Sequence, residues 1–148
     1  MPTDELFSLA NTLALAGWAT LVLALWGPGW LMLAGGLVLP ALLACLYTGL
    51  VLAFFAGAEG GFASLDDVAS LLSAREMLLA GWLHFLAFDL FVGAWQVRAT
   101  RRENLPRLLV IPCLALTFLF GPAGLLAFLA LRAAIRATRA PRQAGAPA

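Results

Sequence analysis

Met77-Leu-Leu-Ala80-Gly-Trp82-Leu-His84-Phe85-Leu-Ala-Phe88-Asp89-Leu-Phe91-Val-Gly93-Ala-Trp95-Gln-Val97 decides the fold class. An apolar run of this length matches the roughly 20 residues that a helix needs to cross the hydrocarbon core of a bilayer. It carries two ionisable side chains, His84 and Asp89, which lipid would make costly. Similar runs recur along the chain, at about 6–26, 30–55 and 108–131. With 63% apolar and 11% charged residues, the 148-residue chain has about half the charge usual for a soluble domain. The expectation is an all-α integral membrane protein. It would be a four-transmembrane-helix bundle forming a single domain over residues 1–140, with a disordered Pro/Gly/Ala tail at 141–148.

The connections support that reading. Gly27-Pro28-Gly29 makes a tight turn after the first run, and Pro40 is placed to kink the second. The first run has Asp4 and Glu5 before it rather than a basic flank, which argues against a cleaved signal peptide. Between runs two and three, Ser64-Leu65-Asp66-Asp67 reads as a capping box with Asp at its third helical position. Leu65, Val68, Ala69 and Leu72 follow at helical spacing, so a short interfacial helix is expected there. Gly121-Pro122 and Gly124 interrupt the fourth run.

Four crossings would place Arg75, Arg132, Arg136, Arg139 and Arg142 on one side and Arg98, Arg101, Arg102 and Arg107 on the other. The positive-inside rule then decides nothing. All basic residues are arginine, as GC-rich bacterial coding would produce, and the expected location is a bacterial inner membrane. Net charge is +1, and the aromatics lie inside apolar runs, which excludes a nucleic-acid role. Membrane lipids are the expected partners, and a homo-oligomer is allowed.

The chain has no glycine-rich phosphate loop, no Gly-x-Ser-x-Gly and no Cys-x-x-Cys. Cys45 and Cys113 read as small buried hydrophobes. A single histidine cannot supply a multi-histidine iron site, so neither a metal nor another cofactor is expected. His84 is a candidate general acid/base, or else a hydrogen-bond partner of a neighbouring helix. Asp89 is either a second acid/base or the partner of an arginine. Five residues turn a helix by about 500°, so their side chains point about 140° apart and share a cavity only if it wraps round the helix. Glu59, in Gly57-Ala-Glu59-Gly60-Gly61, is a third catalytic candidate, or a solvated loop residue. Asn11 is a candidate for substrate binding or for a helix-to-helix hydrogen bond. Trp82, Phe85, Phe88, Phe91 and Trp95 would wall an apolar ligand site or simply pack.

Phe62-Ala-Ser64-Leu65-Asp66 and Gly81-Trp82-Leu-His84-Phe-Leu-Ala-Phe-Asp89-Leu-Phe-Val-Gly93, with Leu105-Pro106-Arg107 and Gly121-Pro122-Ala-Gly124 after them, resemble the ABA-deficient-four-like family. Plant members are membrane proteins required for making neoxanthin from violaxanthin. The resemblance implies a carotenoid or isoprenoid lipid as ligand and a neoxanthin-synthase-like isomerisation, in which an epoxide opens and an allene forms. One group would protonate the epoxide oxygen while another removes a proton from the polyene, with His84, Asp89 and Glu59 as candidates. Two other readings stand beside it. One is a non-catalytic carotenoid- or lipid-binding protein, and the other a structural subunit docking through the basic loop from Arg98 to Arg107.

Overall fold

The computed structural model describes residues 2–139 and is helical, with no strand among them. The proposed tail at 141–148 lies outside the described residues. Helix α1 (Thr3–Ala24) leads through Gly27-Pro28 into a second long segment, Gly29–Gly57. That segment is built from α2 (Gly29–Leu33), a π-helical turn (Ala34–Val38) and α3 (Leu39–Phe54). The widened turn lies just before Pro40, which has no amide to donate and would crowd the preceding turn of a regular helix.

A short helix, α4 (Leu65–Ser73), forms where one was expected, and the Ser64 hydroxyl accepts from the Asp67 amide at 3.1 Å. Its packing face is set by Leu71, which is buried, whereas Leu65 and Leu72 stand outward. Helix α5 (Arg75–Arg102) carries the central run and is the hub of the bundle. Gly17 lies against Leu90, and the Trp18 indole lies on Gly93, so α1 approaches α5 closely. On another flank α3 packs along α5.

The fourth apolar run departs from the expected single crossing. Helix α6 (Arg107–Phe120) ends at Gly121, whose φ of +28° suits only glycine, and α7 (Pro122–Arg139) begins with proline at its first position. Arg132 and Arg136 of α7 pair with Glu103, and Arg139 donates to the Glu103 and Asn104 carbonyls. The far end of α7 therefore returns to the beginning of α6, and the two form an antiparallel hairpin. A Cβ on Gly124 would collide with the Thr117 backbone, so the close return needs glycine there.

At about 1.5 Å per residue, the 14-residue α6 rises about 21 Å, short of the roughly 30 Å hydrocarbon core. Three segments are long and apolar enough to cross a membrane: Thr3–Ala24, Gly29–Gly57 and Arg75–Arg102. The hairpin packs against the lower half of α5, near its Arg102 end, with its tip beside Asp89 midway along that helix.

Candidate functional site

Leu78, Trp82, Phe85, Asp89 and Gln96 recur on one face of α5 by helical spacing. The hairpin covers the lower part of this face. Gln96, fully buried, donates from Nε2 to Thr117 Oγ1 at 2.8 Å and to the Gly124 carbonyl at 3.4 Å, tying α5 to both arms of the hairpin. Trp95 also lies beneath the hairpin, edge-on to Phe128 at 5.4 Å and covered by the Arg132 guanidinium.

Above the tip the face is open: Leu78 is 57% and Trp82 39% exposed. Here α1 and α5 form a groove of about 500 Å³ lined by Thr3, Asp4, Phe7, Leu78 and Trp82, with the Arg75–Asp4 ion pair (2.6 Å) at its mouth. Its wall is aromatic. The Phe7 and Trp82 rings are 5.9 Å apart, and Trp82 stacks on Phe85 at 5.5 Å. Trp82 Nε1 donates to Asn11 Oδ1 at 3.0 Å, the interhelical bond that is the commoner role for an intramembrane Asn.

Asp89 sits one turn below Phe85, at the foot of this wall. It is only 8% exposed, and Oδ2 has no hydrogen-bond partner among the described residues. Its carboxyl lies against Gly121, where a Cβ would run into it. Asp89 thus fills, from another helix, the space of an N-cap side chain at the start of α7, which is the positive end of that helix.

His84 faces the opposite flank and is exposed. Its ring stacks on Phe88 at 4.6 Å and lies 5.5 Å from the Tyr47 ring of α3. Phe88 also lines a second groove of about 310 Å³, together with Gly36, Pro40, Ala41, Ala44 and Phe91. His84 and Asp89, the two ionisable groups in the apolar run of α5, therefore do not converge on one cavity. Glu59 is exposed in the loop at the Arg75 end, while Asp89 is 14 residues down α5, about 21 Å by helix rise. The candidates thus divide four ways: Asn11, Trp82 and Phe85 in the aromatic wall with Asp89 beneath them, His84 and Phe88 on the far flank, Trp95 under the hairpin, and Glu59 in the loop at the Arg75 end.

The family model described as ABA DEFICIENT 4-like matches residues 5–128, which include Asp89, the hairpin tip and all of the groove linings except Thr3 and Asp4. The chain belongs to the ABA DEFICIENT 4-like family. No curated protein and no solved structure matches it. Within this ABA DEFICIENT 4-like chain, three polar groups that carry the geometry had not been singled out from sequence. Gln96 stands seven residues from Asp89 in an apolar run, so helical spacing could have placed it on the same face. Thr117 and Tyr47 are ordinary helix residues by pattern, and only packing assigns them partners. No group of three or more metal-ligating side chains occurs among the described residues.

Proposed function

We propose that the protein is a carotenoid-directed membrane enzyme of isomerase type whose reacting group is Asp89, about two helical turns below Trp82 and beneath the groove between α1 and α5. One observation carries this reading. A carboxyl with an unpartnered oxygen lies halfway down the bundle, directly below a wall of Phe7, Trp82 and Phe85 that is open at the side. An intramembrane ionisable group without a protein partner points to a ligand or proton path, and flat aromatic rings suit a polyene. Family membership supports a role in the neoxanthin pathway.

The proposed chemistry balances with one carboxyl. Asp89 in its acid form gives its proton to the epoxide oxygen as the C–O bond breaks and its electrons pass to oxygen. The C–H bond of the adjacent polyene carbon then breaks, its electrons form the new double bond of the allene, and its proton returns to the Asp89 carboxylate. Nothing is oxidised or reduced, so the balance needs no oxidant, reductant or cofactor. In this reading His84 serves outside the reacting centre, beside Tyr47. Glu59 belongs to the loop at the Arg75 end, and the all-arginine composition favours a bacterial inner membrane.

A second reading, a non-catalytic carotenoid- or lipid-binding protein, is favoured by the groove on the far flank, whose lining is apolar throughout. Pigment profiling separates the two. The wild type, Asp89→Asn and His84→Ala are expressed at equal membrane abundance in carotenoid-producing cells, with and without violaxanthin. The isomerase reading expects a new isomer of unchanged mass from wild type and His84→Ala, and none from Asp89→Asn. Unchanged pigments that copurify with all three proteins would support the binding reading instead.

A further inference from the structure

The tip of the α6–α7 hairpin brings together groups of opposite hydrogen-bonding sense that lack partners. On one side is Asp89 Oδ2, buried and unpaired. On the other is the first turn of α7, where Pro122 has no amide and no described group accepts from the amides of Ala123 or Gly124. Gly121, between them, touches the Asp89 carboxyl. Away from water, each unmet donor or acceptor costs free energy, and a helix broken halfway through a bundle leaves such groups only where a cavity or ligand satisfies them.

We propose that Asp89 and the first turn of α7 form a binding site for an uncharged oxygen of an otherwise apolar ligand: a hydroxyl, epoxide or carbonyl. The charge pattern selects that class. An anionic group would have to carry its charge into the apolar interior to reach this point, and a cationic one would meet the positive end of an 18-residue helix. A neutral oxygen accepts from the α7 amides and shares a proton with Asp89. Gln96 and Thr117 hold the arrangement by fixing both arms of the hairpin to α5. The apolar remainder of the ligand lies up the wall of Phe85, Trp82 and Phe7, and for that part the inference rests on the proposed substrate groove. During epoxide opening the same amides would stabilise the charge that gathers on oxygen as its bond to carbon lengthens.

The test compares binding of violaxanthin with that of β-carotene, a hydrocarbon of the same length, to the purified protein in lipid nanodiscs, read by quenching of tryptophan fluorescence. The expected result is at least tenfold tighter binding of violaxanthin to wild type. That ratio should fall towards one in Asp89→Leu and in Ala123→Pro, which removes one amide in the first turn where proline is tolerated. It should persist in Asp89→Asn, which keeps the hydrogen-bonding shape. Circular dichroism and monodispersity establish that each variant is folded. Infrared difference spectra of wild type need no folded leucine or proline variant. The carboxyl band that Asp89→Asn lacks should shift with violaxanthin and stay fixed with β-carotene.

A wild-type ratio of one, an unshifted carboxyl band, or a ratio that survives Ala123→Pro would overturn the proposal. Discrimination without any new isomer would leave this site standing and remove the isomerase. An isomerase with a ratio of one would do the reverse.

Discussion

At the residue scale, Asp89 and Gly121 form one unit. The carboxyl occupies the space that a side chain at Gly121 would need, and the backbone there has a positive φ. Gly121→Ala should therefore both strain the turn and push the carboxyl aside. The backbone cost alone is about 1–3 kcal/mol, read as a lowered unfolding temperature in detergent, with activity falling further than stability accounts for. Asp89 was visible in the sequence because a lone carboxylate inside an apolar run is costly. What it touches was not, since Gly121 lies on another helix and no spacing rule joins residues 89 and 121. The same limit applies to His84. Its 140° offset from Asp89 was legible, and the structure resolves it into two flanks, with Tyr47 the neighbour that only packing reveals.

At the element scale, the fourth apolar run shows why length alone misleads. A stretch that is long enough to cross reads the same as two half-length helices folded together, because hydropathy ignores direction. The breaks at Gly121-Pro122 and Gly124 were in view, and each has a geometric purpose in the hairpin: positive φ, helix start and close approach. Two polar contacts among those that hold the hairpin to α5 can be tested separately. Gln96→Leu removes the buried pair and leaves the Gly124 carbonyl without its side-chain donor. It should cost about 1–2 kcal/mol, and a spin-label pair on α5 and α7 should report a broader distance distribution.

The second contact is electrostatic. Hydrogen bonds from Arg132, then from Arg136, hold the Glu103 carboxyl at about 2, below its usual 4.5. A depressed carboxyl stabilises the folded state above its unfolded value and loses that contribution as pH falls. The hairpin base should thus be fully held above about pH 4.5 and released towards pH 2. Glu103→Gln should show no such loss over that range in thermal unfolding, and added salt should weaken the effect in wild type.

At the scale of the whole molecule, replacing a fourth crossing by a hairpin changes the charge count. Arg98, Arg101, Arg102, Arg107, Arg132, Arg136 and Arg139 gather at one end of the bundle, around Glu103. The other end carries Arg75 with Asp4, Glu5, Glu59, Asp66, Asp67 and Glu76. The near tie of the four-crossing count becomes a decisive asymmetry, and the positive-inside rule places the arginine end on the side from which the chain is inserted. Reporters fused at the two ends of the described chain should therefore report opposite compartments, and a four-crossing bundle would put both on one side. The groove above the hairpin tip then opens toward the arginine-poor leaflet. If an epoxy-carotenoid is isomerised through Asp89, purified protein in nanodiscs loaded with violaxanthin will form the product without any other component. Chromatography and mass spectrometry should find an isomer of equal mass made by wild type, and at least ~100-fold less made by folded Asp89→Asn, the smallest loss usual for a general acid/base. An isomer formed equally by both proteins, or by neither, would contradict a reaction through Asp89.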